Sequence, residues 1–289
     1  MAAGVQVVDD LGLRVGLAAP PERIVSLVPS WTETLFALGL GPRIVGVTRF
    51  CIEPAREVEA VPRIGGTKNP DINAILKLAP DLVIANAEEN RREDIERLRE
   101  SAVRVFVTYP RTVPGAVESI LRLGAALGAE TAAAALTRKI VMTVSEIEAG
   151  LGVWMKLRLR VFCPVWKNPW MSFNADTYAH DVLRMLGFNN IFAAAGERYP
   201  RVTLEQALES RPDVVLLPDE PYLFTDDDVR ELKETLPPVL ARRVLLIRGR
   251  DLHWYGVHMV RGLRALNRIL SKVRATSGLS SGGAVGHKR

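Results

Sequence analysis

The side chains best equipped for chemistry are few and lie in short irregular stretches. In "GVTRFCIEP" the thiol of Cys51 follows Arg49 and Phe50, just after the apolar run "IVGV". A thiol there could act as a nucleophile, a soft metal ligand or a wall of a pocket. His180, His253 and His258 could add imidazole ligands, so Cys51, His180 and His258 are candidate metal-binding groups. No metal site is assigned to them: His253 and His258 are not spaced i, i+4, and neither HExxH nor CxxC occurs. His180 sits in a helical pattern, where a hydrogen-bonded structural role is expected. There is no GxSxG elbow, and "RIGGTKNPD" has neither GxGxxG nor GxxxxGK[ST] spacing. Its Gly65 and Gly66 permit a tight backbone, Asn69 reads as a helix cap and Pro70 as a first-turn residue. Acyl transfer by a serine elbow and nucleotide phosphate binding therefore have no motif to stand on.

Aromatic residues are the other chemical asset. "PVWKNPWMSFNADTYAHD" carries Trp166, Trp170 and Phe173, and "RDLHWYGVHM" carries His253, Trp254 and Tyr255. Trp31 falls on the first turn of a helix that Ser30 and Glu33 would open as a capping box. Aromatic groups gathered in loops suit either a flat apolar ligand or an interface.

The elements that position these groups are written twice. "ILKLAPDLVIAN" is answered by "ALESRPDVVLLP", "RIVSLVPS" by "RLRVFCPVW", and "RVFVTYP" by "RVLLIRG". Continuous apolar runs of this length are strands buried on both faces, and the helical patterns between them imply βαβ units. Residues 113–150 contain helical patterns only. The expected fold is α/β: two doubly wound Rossmann-like lobes joined by a long rigid backbone helix, with a ligand cleft between the lobes. The division expected is 1–22 as an N-terminal extension, 23–112 as the first lobe, 113–150 as connecting helices, 151–274 as the second lobe and 275–289 as a disordered tail. Ligands of such sheets bind beyond the carboxyl ends of the strands. Glu88, Glu89 and Glu220 follow the matched runs there.

The chain has 289 residues, 48% hydrophobic and 25% charged, which is ordinary globular composition. Two cysteines are too few for a disulfide framework. The net charge of +5 is mild, and the cations clustered in the terminal stretch "MVRGLRALNRILSKVR" read as the wet face of an amphipathic helix, so nucleic acid is not an expected partner. No stretch reaches the ~18 apolar residues of a membrane span. The opening "MAAGVQVVDDLGLRVGLAAPPE" lacks a signal-peptide core, so as written the protein reads as cytoplasmic, or as periplasmic or cell-surface if a leader was removed.

"RIVSLVPSWTETLFALGLGPRIVGVT", "APDLVIA" and "RYPRVTLEQALESRPDVVLLPDEPY" resemble the helical-backbone substrate-binding proteins of ABC importers, above all their cobalamin-binding branch. The resemblance spans about residues 22 to 272. It implies a monomeric receptor without catalytic activity and without a tightly held cofactor. Its ligand would be a cobalamin-like corrinoid or a related metal complex such as haem or a ferric siderophore. Trp31, Phe50, Trp166, Trp170 and Trp254 would pack on the macrocycle, with Cys51, Gly66, Phe173, His253 and Tyr255 lining the site. An ABC permease would be met through one glutamate per lobe, Glu88 or Glu89 and Glu220. The alternative is a cytoplasmic metallochaperone, or a metal- or tetrapyrrole-handling enzyme, on the same scaffold.

Overall fold

Apolar runs too short for buried helices, bounded by proline and charge, become parallel strands covered on both faces. In this computed structural model, which describes residues 5–152 and 154–276, the chain forms two compact units. One runs up to Val141 and includes Tyr255–Met259; the other is Met142–Trp254 with Val260 onward.

Unit 1 opens with an antiparallel pair, β1 (Val5–Val8) and β2 (Arg14–Leu17). Then come β3 (Ile24–Ser26), α1 (Pro29–Ala37), β4 (Ile44–Val47), α2 (Ala55–Glu59), α3 (Ile72–Lys77), β5 (Leu82–Asn86), α4 (Arg92–Glu100), β6 (Val105–Thr108) and α5 (Val113–Leu127). The 22-residue α6 (Glu130–Leu151) carries the chain onward into unit 2. Unit 2 holds α7 (Trp154–Leu157), β7 (Leu159–Phe162), α8 (Tyr178–Met185), β8 (Phe188–Asn190), α9 (Leu204–Glu209), β9 (Val214–Pro218), α10 (Asp226–Thr235), α11 (Pro238–Ala241), β10 (Val244–Ile247) and α12 (Gly249–His253). The last helix, α13 (His258–Thr276), starts in unit 1 and continues in unit 2.

Both four-stranded sheets are parallel and share one topology. Their orders, β4-β3-β5-β6 and β10-β9-β7-β8, each put the first strand between the second and the third. The sequence echo is thus a topological repeat. Strand β8, too short and polar to be read from the sequence, takes the place that β4 takes in unit 1.

The repeat is closest at its helix–turn–strand step. The bounds of α3 and β5 recur in α9 and β9 exactly 132 residues later. Ala79 and Arg211, at φ 44° and 46°, end the two helices in the left-handed region usually left to glycine. Two residues on, an aspartate clasps the first strand of its own sheet. Asp81 Oδ2 accepts from the backbone N–H of Glu22 at 2.9 Å and of Arg23 at 2.8 Å, and Asp81 N–H donates to Arg23 O at 2.8 Å. Asp213 Oδ2 accepts from Arg160 N–H at 2.7 Å, and Asp213 N–H donates to Arg160 O at 2.7 Å.

Several local expectations are corrected. Ser30 and Glu33 do not form a capping box: α1 begins at Pro29 behind Val28, with no side-chain cap. Asp71, not Asn69, caps α3, accepting from Ala74 N–H at 2.9 Å. The capping boxes that do form include Thr203 with Gln206 at the start of α9. Of the cations on α13, Arg274 turns inward, donating to Leu186 O at 3.0 Å and Asn267 Oδ1 at 2.7 Å. The expected tail from 275 starts inside that helix, and the rest lies outside the described residues. The stretch before residue 22, left without elements by the sequence, contains the β1–β2 pair. Asp10, in the connection between the two strands, fastens the pair to the rest of unit 1 by accepting from Tyr109 N–H at 2.7 Å and from Arg122 at 2.9 Å.

Removing either clasp exchanges its hydrogen bonds to exposed backbone donors for water, at ~0.5–1.5 kcal/mol. Asp81→Ala and Asp213→Ala should each lower stability by about that much. Urea unfolding followed by circular dichroism measures the loss.

Candidate functional site

Where the second and third strands flank the first, the loops leaving the carboxyl ends of the first and third strands diverge and leave a crevice. In unit 2 these are the loops after β7 and β9, and they hold a continuous aromatic column. Trp166 meets Tyr222 edge-on at 5.4 Å, Tyr222 meets Phe224 at 4.7 Å, and Phe224 stacks on Trp170 at 5.9 Å and 11°. Trp170 then reaches Phe162 at 6.2 Å, and Phe162 meets Phe192 at 5.9 Å. The column is rooted in the core, where Phe162 and Phe224 are buried, and ends on Trp166, 43% exposed. Lys167 braces it: its ammonium sits 5.8 Å from the Trp170 ring and donates to Asp228 at 2.7 Å and Glu231 at 2.6 Å. Tyr222 and Phe224 were missed by the sequence reading, although "PDEPYLFT" shows them directly after a strand. Phe173, expected to line the site, is buried, and its carbonyl accepts from Asn190 Nδ2 at 2.7 Å.

Unit 1 uses the corresponding loops differently. Trp31 is fully buried rather than open to a ligand, and its Nε1 donates to Thr108 Oγ1 at 2.8 Å. Tyr255 packs on it with ring centroids 5.4 Å apart and donates its hydroxyl to Glu89 Oε1 at 3.0 Å. Asn86 Oδ1, at the end of β5, accepts from the backbone of Glu88 at 2.8 Å and Glu89 at 3.1 Å. The rest of the Tyr255–Met259 strap lies along α1. Val257 N–H donates to Thr34 Oγ1 at 3.0 Å, and His258 Nδ1 lies 3.4 Å from Glu33 Oε2. Gly256, at φ 79°, leaves no room for a Cβ, which would fall 1.9 Å from Thr34 Oγ1.

The loop after β4 alternates. Phe50 and Ile52 are 50% and 57% exposed, and Cys51 between them is fully buried. Its sulfur lies 3.1 Å from Thr32 Oγ1 and 3.2 Å from Thr48 Oγ1. Arg63 spans the loop, donating to Thr48 O at 3.0 Å and Cys51 O at 2.6 Å. Arg49 sits 5.2 Å over the Phe50 ring, and buried Gly66 has Asn69 and Arg49 against its backbone. Burial pushes the Cys51 thiol up, against the pull of the two threonine hydroxyls, and burial alone pushes Cys163 up. Neither is a thiolate at neutral pH.

The remaining candidates are dispersed. Among the described residues no three of His, Cys, Asp and Glu are grouped to hold a metal. His180 is half-buried on α8, and burial lowers its pKa. His253, ending α12, is half-buried as a residue, but its Nε2 is shut from solvent without a hydrogen-bond partner among the described residues. Burial lowers its pKa to about 4. Trp254 beside it is half-buried. Glu88, Glu89 and Glu220 are half-buried, and Glu220 is packed against Gly249.

A model of the periplasmic binding protein family matches residues 24–241. The vitamin B12-binding protein of Vibrio parahaemolyticus is 27% identical over 228 residues, covering 78% of this chain and 80% of the relative. Among solved structures, the periplasmic vitamin B12 binding protein of Vibrio cholerae superposes with a TM-score of 0.74 at 23% identity, covering 88% of this chain and 98% of that one. The molybdate periplasmic binding protein of a Haemophilus influenzae ABC transporter superposes at 0.77 with 18% identity, covering 93% and 92%. No described helix is long and apolar enough to cross a membrane.

Two measurements check the site chemistry. Iodoacetamide at about pH 8 should leave both native thiols unmodified and alkylate both after unfolding, as read by mass spectrometry. His253 binds its proton more weakly folded than unfolded, so between its ordinary value of 6.5 and about 4 the unfolded chain holds more protons. Stability should therefore fall as pH drops through that window, and His253→Gln should flatten the fall in urea titrations at several pH values.

Proposed function

The chain belongs to the periplasmic binding protein family, and from that premise we propose that it is the substrate-binding protein of an ABC importer, taking a cobalamin-like corrinoid or a related metal complex. The observation that carries this reading is the aromatic column of unit 2, which presents Trp166 at the crevice beyond β7 and β9. A conjugated macrocycle has a broad flat face, and stacking on a braced aromatic group costs little side-chain entropy. Phe50 and Ile52 give unit 1 an exposed apolar pair on a loop held by Cys51 and Arg63. The names of the relatives support vitamin B12 or its kin, and the molybdate-binding neighbour shows how far ligands diverge on one fold.

The function proposed is binding and delivery, with no bond made or broken by the protein. Delivery to an importer places the working site outside the cytoplasmic membrane, at a permease. The glutamates proposed for that contact, Glu88 or Glu89 and Glu220, are half-buried, so a partner cation would meet them at the loop surface. Trp31 and Tyr255 act in this reading as support, because each is buried in contact with the other.

Isothermal titration with cyanocobalamin, haemin and a ferric hydroxamate separates the ligand classes. Saturable binding of one of them is expected, and heat from none would defeat the reading. Trp166→Ala should weaken that ligand about tenfold, the loss of one aromatic contact of ~1.5 kcal/mol.

A further inference from the structure

The two walls of the unit 2 crevice are separate loops, and one ion pair fastens them together. The wall after β7 folds back on itself: Val165 N–H donates to Met171 O at 2.8 Å and Met171 N–H to Trp166 O at 3.1 Å. The wall after β9 carries Tyr222 and Phe224 and runs straight into α10. There Asp228 reaches back to the start of the helix, its Oδ2 accepting from Thr225 N–H at 2.8 Å. The other oxygen of the same carboxylate, Oδ1, accepts from Lys167 Nζ at 2.7 Å. Asp228 thus gives one oxygen to its own helix and one to the opposite wall. Both side chains of the pair are 11% exposed, so this charge-assisted bond is screened little by solvent. Glu231, the second acceptor of Lys167, is 62% exposed and holds it less firmly.

Trp166 is the outermost ring of the column and stands on one wall, while Tyr222, which it meets edge-on at 5.4 Å, stands on the other. Their contact holds only while the walls keep their spacing. We infer that Lys167 is a positioning residue of the ligand site: by pairing with Asp228 it holds the two walls together and keeps the exposed Trp166 ring in one orientation before a ligand arrives. The inference rests on the reading above, in which the ligand stacks at this crevice. Lys167 itself touches no ligand and acts through Trp166. A ring that is already held need not be ordered on binding. Losing the pair therefore weakens binding by the cost of ordering one side chain, about threefold to tenfold.

Two variants test it. Lys167→Met keeps the apolar stem beside Trp170 and removes the charge, and Asp228→Asn removes the charge while retaining an oxygen that can accept from Thr225. In ligand-free protein labelled with fluorotryptophan, each should shift or broaden the Trp166 fluorine resonance, which is identified by its loss in Trp166→Phe. Cyanocobalamin, haemin and a ferric hydroxamate are then titrated separately. Each variant should weaken the probe that binds the wild type about threefold to tenfold. In a Trp166→Ala background the same substitutions should cost no affinity, because the residue they act through is gone. An unmoved Trp166 resonance or an unchanged affinity overturns the inference. So does an equal loss of affinity with and without Trp166, which marks a general loosening of unit 2. If no probe binds the wild type, the ligand reading fails, and the fluorine resonance alone decides whether Lys167 positions Trp166.

Discussion

Each sheet hangs on an aspartate that faces backwards. Asp81 and Asp213 stand at the head of the third strand of their units and hold the backbone of the first strand by paired hydrogen bonds. Parallel strands cannot be joined by a tight hairpin, so their register needs a device other than the turn. The clasp supplies it, because it fixes where the third strand starts relative to the first. The crevice, the loops after both strands and the aromatic groups on those loops all follow from that alignment. A helix must end abruptly for the aspartate to arrive in place. The left-handed Ala79 and Arg211, each followed by proline, make that ending without glycine.

Once the framework repeats, the two units diverge in how they use it. Unit 2 builds its strand-end loops into a column of rings that begins in the core and finishes at solvent. Unit 1 covers the equivalent position with its own chain: Tyr255 occupies the space over Trp31, and a ring of polar groups from Asn86 to Thr108 satisfies the indole and the loop amides. A buried network of this kind is stable only when every member has a partner, which makes the strap part of the fold rather than a covering.

The framework was largely legible in the sequence. Buried parallel strands are continuous apolar runs, and "APDLVIAN" and "RPDVVLLP" announce both the strands and their duplication. The clasp itself was visible as the shared Pro-Asp pair, though its purpose was not. Strand β8, "FNN", was illegible because pairing to β7 rather than its own side chains makes it a strand. The site was read less completely. Spacing shows that Cys51 lies in a loop but not that Phe50 and Ile52 turn out while it turns in. Trp31 looked available because helix position says nothing of what packs on it, and its cover comes from 224 residues later in the chain. Glu33 resembled part of a capping box because the pattern Ser-x-x-Glu fits; Pro29 in the first turn moved the helix start two residues earlier.

The strap has a consequence for how the molecule can be taken apart. The chain passes between the units at Val141–Met142, returns at Trp254–Tyr255 and leaves again at Met259–Val260. Three covalent crossings, not one, therefore join the halves. Cutting any single crossing leaves the others intact, and a fragment ending after α6 would lack the residue that seals its own tryptophan. A duplicated half-molecule that has surrendered part of its lining to the other copy can no longer be lost, permuted or expressed alone without exposing that debt.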